Sequence, residues 1–326
     1  MGFERRSMLH ISVSSLGDFM TCRRLYFYKR IRRYERNLYN KAFIVGRIVH
    51  MGLGYLLGKP KDKEGVLLNP IELMRKYFYE EKKKANNEFV LDEKQTKELN
   101  EQEYITIGML TAYAKKYVAL LRSATVIGTE VEGALQFGDN VTFVLKLDNL
   151  LRIREKKILH ELKTSKSITP DYVQMIRTDT QTAAYYHGYN NIFPDSKIDE
   201  IMYDVIKKPG IRQKKGESYQ AFLQRLSEWY DKPGGEEAAF HIERFKKPVI
   251  SENDIFNTIF KVSDDMLRSR TKEDYYQDFA KCSSYYGDRC PMYELCHEGG
   301  ETKENLVLYT IRKSYHVDKS NKALKG

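Results

Sequence analysis

The 326-residue sequence has no apolar run of about 20 residues, the length that a membrane-spanning helix requires. Its first residues, MGFERRSMLHIS, also lack the apolar segment of a secretory signal peptide. These absences argue against a membrane-spanning or secreted protein, and we expect an intracellular, cytoplasmic location. A chain of this length can bury a substantial core, in one large domain or in two interlocked ones.

Cysteine is scarce, and its four residues form no C-x-x-C pair. Cys22 stands near the N-terminus, whereas Cys282, Cys290 and Cys296 lie within fifteen residues of one another. Disulfides are rare inside cells, and three clustered cysteines make unrelated thiols a poor explanation. Zn²⁺ and an iron–sulfur cluster remain. The spacing does not choose between them, although a zinc ribbon usually offers two C-x-x-C pairs.

Negative charge is in the minority, with 45 Asp and Glu against 55 Lys and Arg and a formal net charge of +10. This excess favours a polyanionic partner such as nucleic acid. The 24 tyrosines, several of them among basic residues, would suit stacking on unpaired bases. A solvated surface remains the alternative for any single cluster. Two stretches are especially basic, one with Arg23, Arg24, Lys29, Arg30, Arg32, Arg33 and Arg36, the other with Lys207, Lys208, Arg212, Lys214 and Lys215.

The stretch Val141–Lys163, VTFVLKLDNLLRIREKKILHELK, has the alternating apolar pattern of a β-hairpin with a charged turn. A turn centred on Arg154–Glu155 would place Asp148 opposite Glu161. A slip of one residue would place Asp148 opposite Lys163 instead. Glu161 and Lys163 share a face because strand side chains alternate. In either register these three groups lie within about 5 to 8 Å of one another.

Two carboxylates at such a distance raise each other's pKa, which is costly in a fold. A divalent metal removes that cost, and Mg²⁺ suits carboxylate oxygens best. Lys163 beside the metal could orient a nucleophile or stabilise charge on a phosphorane. The alternative is a surface hairpin whose Glu161 and Lys163 face solvent, and E-x-K by itself is weak evidence against it.

Two flanking helices carry further candidates. A helix predicted over Ala42–Leu57 contains His50, which in an apolar helix is usually a hydrogen-bonded core residue. In the helix after the hairpin, Gln181 and Tyr185 are four residues apart and share a face. Thr178 and Gln181 also satisfy a capping box, which would instead engage the Gln181 amide with backbone.

The order of L-D-N-L, E-L-K-T and Q-T-A-A-Y, with G-R-I-V-H before them, resembles the PD-(D/E)XK nuclease superfamily. It is most similar to the RecB/AddB-type exonuclease branch, which includes phage and CRISPR-associated relatives. If a phage encodes the chain, it would act in the host cytoplasm. The resemblance implies that Asp148, Glu161 and His50 bind Mg²⁺ or Mn²⁺ and that Lys163 is catalytic. It further implies a place near the active centre for Gln181, contact with DNA phosphate for Tyr185, and an acidic position near the site at Glu130. Arg23 and Arg24 of the first basic stretch are further candidates for DNA contact.

The iron–sulfur members of that branch also carry one cysteine before the nuclease motifs and three after them. This resemblance implies a structural 4Fe-4S cluster on Cys22, Cys282, Cys290 and Cys296, joining the two ends of the domain. The final C-x5-C matches their pattern, whereas the seven residues between Cys282 and Cys290 exceed the C-x-x-C of the best-known members. Zinc remains the alternative.

We therefore expect an α/β restriction-endonuclease-like core, a mixed sheet flanked by helices. A helix is predicted to start at a Ser15–Asp18 capping box and to reach about Tyr34. The expected segments are 1–58 (N-terminal helices), 59–125 (helical insertion), 126–250 (nuclease core), 251–300 (C-terminal helix and cysteine region) and 301–326 (strand and tail).

The expected function is a metal-dependent DNA nuclease, an exonuclease acting on single strands or DNA ends. The alternative is a DNA-binding or complex-forming subunit of recombination, repair or CRISPR-type machinery with little activity of its own. The sequence does not name protein partners in recombination or replication. Retention of Asp148, Glu161 and Lys163 together favours the enzyme.

Overall fold

The computed structural model describes residues 8–36, 41–59, 69–89, 92–232, 239–283 and 289–312. The tail expected beyond Tyr315 lies outside these residues. The chain divides into two compact units, each drawing on several of the predicted segments. Unit 1 comprises Met1–Leu38, Ala134–Leu145 and Glu252–Gly326, and unit 2 comprises Tyr39–Gly133 and Lys146–Ser251. In the described part of the chain, no helix is both long enough and apolar enough to cross a membrane.

The first half of the chain is mostly helical before the hairpin. Its elements are β1 (Leu9–Ile11), α1 (Val13–Thr21), α2 (Arg23–Tyr26), a π-helical turn (Phe27–Ile31), β2 (Tyr34–Arg36), α3 (Lys41–Gly58), α4 (Pro70–Phe89), α5 (Glu93–Lys116), α6 (Val118–Ser123) and β3 (Ala124–Phe137). The second half begins with the hairpin. Its elements are β4 (Val141–Ile153), β5 (Lys156–Ser165), α7 (Pro170–Ile176), α8 (Thr180–Ile192), β6 (Glu200–Lys207), α9 (Tyr219–Asp231), β7 (Phe240–Phe245), α10 (Glu252–Arg268), α11 (Tyr293–His297), α12 (Lys303–Leu306) and β8 (Tyr309–Ile311).

The sheet of unit 2 is mixed, as predicted. The β5 strand pairs antiparallel with β4 and parallel with β6, and β6 pairs antiparallel with β7. The β3 strand pairs with β4. The parallel β5–β6 pair needs a crossover, which α7 and α8 provide. The α/β architecture with helices beside a mixed sheet is therefore confirmed.

The hairpin adopts the first of the two predicted registers. Its ladder runs from Ile153 opposite Lys156 to Asn149 opposite His160, and the next facing positions are Asp148 and Glu161. Arg154 takes a φ of 56°, the left-handed conformation that tight two-residue hairpin turns require. The tight turn thus decides which carboxylates face each other.

One face of this sheet is covered by α3, α9 and α5, of which α5 belongs to the predicted insertion. Leu162 belongs to a core that includes Val49 of α3, Tyr113 of α5 and Phe222 of α9. The packing is close at Gly52, where an added Cβ would lie 2.3 Å from a Leu110 methyl carbon. Helix α5 therefore shares one hydrophobic core with the sheet of unit 2.

The prediction of one N-terminal helix from Ser15 to about Tyr34 is wrong. Helix α1 is capped by Ser12, whose capping box pairs with Ser15, and it ends before Cys22. Cys22 has an extended backbone with φ −164° and ψ 120°, so it interrupts the helix between α1 and α2. Asp18 does not cap the helix but binds Lys29 and Arg30.

Unit 1 joins the N-terminal residues to the C-terminal ones. Strand β1 pairs parallel with the start of β4, and β2 pairs antiparallel with β8. The Tyr28 hydroxyl donates to the Leu295 carbonyl at 3.0 Å, and Arg36 forms an ion pair with Glu294. These contacts hold the segment carrying Cys22 against the segment carrying the other three cysteines.

Candidate active site

Glu161 and Lys163 meet on one face of β5. Glu161 is fully buried, and its Oε1 accepts hydrogen bonds from Lys163 Nζ and, at 2.9 Å, from Gln181 Nε2. The other oxygen, Oε2, is buried without a hydrogen-bond partner in the part of the chain that the structure describes. A buried carboxylate oxygen without a partner is costly, so this atom marks a place for a cation.

The electrostatics of the pair follow from burial and proximity. Burial, together with the negative charge of Asp148, raises the pKa of Glu161 to about 7 despite the neighbouring ammonium. Burial lowers the pKa of Lys163, but the charge and hydrogen bond of Glu161 outweigh it and raise the pKa overall. Lys163 is therefore held as a cation while Glu161 titrates near neutrality.

Asp148 lies on β4, one position beyond the end of the ladder. Its Oδ2 accepts the Leu162 backbone N–H at 3.2 Å and lies 3.2 Å from His50 Nδ1. Burial alone would raise the pKa of Asp148. The hydrogen bond and charge of His50, together with Lys163 and the Leu162 amide, outweigh burial, so the pKa is lowered overall. The structure thus brings His50 of α3 beside the hairpin carboxylates.

Gln181 is available to the site because another residue caps its helix. The N-cap of α8 is Asp179, whose side chain accepts from the Thr182 backbone N–H, so the alternative of a capping box at Thr178 is wrong. The Gln181 amide instead donates to Glu161, and its oxygen accepts from Lys163 Nζ at 3.3 Å. By bonding to both groups, Gln181 fixes the position of the Glu161 carboxylate relative to the Lys163 ammonium.

Tyr185 and Glu130 form contacts of their own, and their predicted roles in DNA contact and at the site stay predictions. Tyr185 is only 8% exposed, and burial, then Glu161 and Asp148, raise its pKa. Its phenol is hydrogen-bonded to the Lys146 backbone, and burial separates most of the side chain from solvent. Glu130 has a φ of 52° in β3 and forms an ion pair with Lys146.

Arg23 and Arg24 form internal contacts in unit 1. Arg23 binds Asp265 at 2.8 Å and stacks on the Tyr276 ring, while Arg24 donates to the Tyr275 carbonyl at 2.6 Å. Both guanidinium groups bind the C-terminal segment to α2. Their predicted contact with DNA stays a prediction that these engagements do not favour.

The sequence did not predict two pairs of polar side chains on the sheet, Tyr203 with Tyr172 and His160 with Asp204. Tyr203 stands opposite Glu161 in β6 and packs with Tyr172 of α7 along the same face. On the opposite face, His160 Nε2 lies 3.4 Å from Asp204 Oδ2, which also accepts the Tyr113 hydroxyl. No sequence pattern signals these contacts, because each joins residues from separate segments.

The residues present fit a hard divalent cation by the chemistry of their donors. The unpartnered Glu161 Oε2, the Asp148 carboxylate and the His50 ring offer oxygen and nitrogen donors of the kind that a hard cation accepts. Among the described residues, no three His, Cys, Asp or Glu side chains are already arranged around a single ion position. In this structure the ammonium of Lys163 forms an ion pair with the Glu161 carboxylate.

Comparison with known proteins decides the family. The profile of the PD-(D/E)XK nuclease superfamily matches residues 10–297. The chain belongs to the PD-(D/E)XK nuclease superfamily. This membership supports hydrolytic nuclease chemistry and a nucleic-acid substrate, and Asp148, Glu161 and Lys163 stand in the order of the superfamily's motif. No curated protein sequence matches the chain.

Solved structures with distant similarity include two exonucleases. A candidate exonuclease from Eubacterium rectale is 15% identical, covers 91% of this chain and 90% of its own, and has a TM-score of 0.44. A phage-related exonuclease from Haemophilus somnus is 16% identical, covers 66% of this chain and 89% of its own, and has a TM-score of 0.28.

The four cysteines of this nuclease line one pocket in unit 1. Cys22 reaches it from the break between α1 and α2, and Cys282, Cys290 and Cys296 reach it from the C-terminal segment. Burial raises the pKa of Cys296 to about 11 and also raises those of Cys290 and Cys282. His297, which the sequence analysis missed, places Nε2 3.3 Å from Cys282 Sγ. All four thiols are partly exposed, and within the described residues no three His, Cys, Asp or Glu side chains are grouped closely enough to hold a metal ion.

Proposed function

We propose that the protein is a metal-dependent deoxyribonuclease of the RecB/AddB-type branch, an exonuclease on single-stranded DNA or DNA ends. The observation that carries the metal dependence is the buried Glu161 carboxylate, with one oxygen unpartnered beside Asp148. The net charge of +10 supports a polyanionic substrate. An intracellular location stays a prediction.

Each site residue has a distinct role in this proposal. Asp148, Glu161 and His50 would hold one or two Mg²⁺ or Mn²⁺ ions, which would supply positive charge close to the phosphodiester. Lys163, held protonated by the carboxylates, directs its ammonium at the attacking water and at the charge that develops on phosphorus. Gln181 keeps Glu161 and Lys163 in register by hydrogen-bonding both.

The test is an assay of the purified protein on labelled DNA. Linear single strands, duplexes and circular single strands are incubated with Mg²⁺, with Mn²⁺ or with EDTA. We expect cleavage of linear single strands or duplex ends, little cleavage of circles, and none in EDTA. Labels at either end give the polarity. Binding without cleavage under every metal condition would contradict the proposal and support a DNA-binding subunit.

A smaller effect is expected at His50, since it acts partly through Asp148. In the His50→Ala variant, Asp148 loses its principal hydrogen bond and the cation loses a candidate ligand. We expect the concentration of Mg²⁺ needed for half-maximal cleavage to rise about 10- to 100-fold. Metal titrations of the cleavage rate measure this. A variant with unchanged metal dependence would show that His50 is a packing residue.

We further propose that the cysteine pocket holds a structural 4Fe-4S cluster. Thiolates of Cys22, Cys282, Cys290 and Cys296 would be its ligands, and their shared pocket supports the assignment. Such a cluster would close a chain loop of about 260 residues, stabilising the fold by several kcal/mol in the chain-entropy estimate. Zinc is the competing occupant.

Anaerobic purification distinguishes the two occupants. We expect a brown protein with about four iron and four sulfide per chain, and a Cys22→Ser variant with little iron and a lower melting temperature. Thr21→Ala changes a non-ligating neighbour in the same pocket and is expected to keep the iron. A colourless protein with stoichiometric zinc would overturn the cluster.

A further inference from the structure

Two lysines lie together at the end of the site strand. Lys166 directly follows β5 and Lys208 directly follows β6. The two strands run parallel, with Ser165 opposite Lys207. Both lysines therefore follow the carboxyl ends of neighbouring strands. The Lys208 backbone N–H donates to the Ser165 carbonyl at 2.7 Å, which fixes the two lysines beside each other.

Their positive charges are not neutralised. Lys208 is half-buried, and its pKa is lowered by this burial and by the charge of Lys166. Within the described residues, neither ammonium forms an ion pair with a carboxylate. Two like charges held side by side destabilise a fold. A bound anion between them would remove that repulsion.

Other basic residues of the same cluster are already engaged. Arg212 pairs with Glu101 at 3.1 Å, and the Lys207 ammonium lies 6.0 Å from the centre of the Trp229 ring. Contacts of this kind hold the loop after β6 against α5 and α9. With the residues that the structure describes, Lys166 and Lys208 form no such contact, and the backbone hydrogen bond between Lys208 and Ser165 holds them as a pair.

Their distance from the catalytic groups suits a neighbouring phosphate. Lys163 stands three residues before Lys166, and its partner Val205 stands three residues before Lys208. At about 3.3 Å per strand residue, the backbones of the two lysines lie about 10 Å along the strands from that of Lys163. A stacked strand advances about 3.4 Å per nucleotide, so this spans about three nucleotides, and fewer in an extended strand.

We propose that Lys166 and Lys208 form a phosphate subsite that binds the backbone of single-stranded DNA a few nucleotides from the scissile bond. The inference rests on the proposed nuclease function and names a contact of that site with its substrate. Lysine binds phosphate as a point charge, so the subsite adds affinity and positions the strand without sequence preference.

The test measures binding of a fluorescent single-stranded oligonucleotide in EDTA as the salt concentration is raised. The variant is Lys166→Met with Lys208→Met, because methionine keeps the apolar stem of the half-buried Lys208. We expect Kd to rise about tenfold at low salt. The slope of log K against log salt should become shallower by about 1.4, or 0.7 for each phosphate charge no longer contacted.

A matched control removes the same charge elsewhere in unit 2. Lys246 and Lys247 follow β7, whose last residue, Phe245, pairs with Ile201 near the start of β6, at the opposite end from Lys208. Their double methionine variant should keep the wild-type slope. Lys166→Arg with Lys208→Arg should also keep it. The single Lys166→Met change, at an exposed position, should shift the slope by about 0.7 and guards against misfolding of the double variant.

The outcomes separate the subsite from the nuclease itself. An unchanged slope in the Lys166→Met and Lys208→Met variants, or an equal change in the Lys246 and Lys247 control, would overturn the subsite. A wild-type protein that does not cleave DNA but shows the lysine-dependent slope would overturn the proposed function and leave the subsite standing. Normal cleavage by the wild-type protein, with a salt slope that the lysine changes do not alter, would support the proposed function and overturn the subsite.

Discussion

Replacement of Lys163 by alanine is expected to lower kcat for DNA cleavage by at least about 10³-fold while leaving the Kd for DNA within about threefold. The ammonium is held between Glu161 and Gln181 and is kept protonated by the carboxylates. Its charge acts on the reacting phosphate, so its loss affects the transition state more than the bound substrate. Single-turnover cleavage and oligonucleotide binding measure the two effects.

The fold should survive this change, because the buried Glu161 can take up a proton when its ammonium neighbour is removed. A control on the same hairpin is Lys156→Ala, which removes an ion pair with Glu200 at a half-exposed position. This change should alter the cleavage rate less than about twofold. Turnover of the Lys163→Ala variant at the wild-type rate would refute the catalytic role of Lys163.

Replacement of Glu161 by glutamine is expected to stabilise the metal-free protein while abolishing its cleavage activity. The carboxylate is fully buried with an unpartnered Oε2, and glutamine has the same shape without the charge. The same change removes a cation ligand. Added Mg²⁺ or Mn²⁺ should therefore stabilise the wild-type protein, by about 2.7 kcal/mol at a hundred times Kd, and leave the variant unaffected.

The stability difference between the two proteins should depend on pH with a defined sign. The pKa of Glu161 is raised in the folded state to about 7 from 4.5. The protonated acid therefore stabilises the fold fully below about pH 4.5, and this stability is lost as pH rises through 7. Urea denaturation in EDTA should show nearly equal stability at pH 4.5 and an advantage for the variant on the order of 3 kcal/mol above pH 7.

A second glutamine variant isolates the effect of burial. Glu155 lies exposed in the turn of the same hairpin, so Glu155→Gln should change stability by less than about 0.5 kcal/mol at every pH. A Glu161→Gln protein less stable than the wild type at neutral pH would mean that the carboxylate is satisfied in the metal-free fold. The fold would then not require a cation at this position.

Local sequence rules predicted the hairpin well because they depend on neighbouring residues. Alternation placed Glu161 and Lys163 on one face, and the tight turn at Arg154–Glu155 set Asp148 opposite Glu161. The backbone period of two residues decides which side chains share a face.

The same rules failed where two local solutions compete. Ser15 with Asp18, and Thr178 with Gln181, both fit a capping box by spacing, yet the helices are capped at Ser12 and Asp179. A capping motif states which contacts are possible, and packing selects among them. At α8 that selection freed Gln181 for the site.

What the sequence by itself determined is the hairpin, its register and the order of the motif residues, because turn chemistry and side-chain alternation act over a few residues. Tertiary structure alone decided that His50 reaches Asp148, that Tyr185 is buried and that Arg23 and Arg24 bind within unit 1. It also placed Lys166 beside Lys208, which are far apart in the chain. Such contacts depend on how helices and strands from separate segments pack, and no local period encodes that.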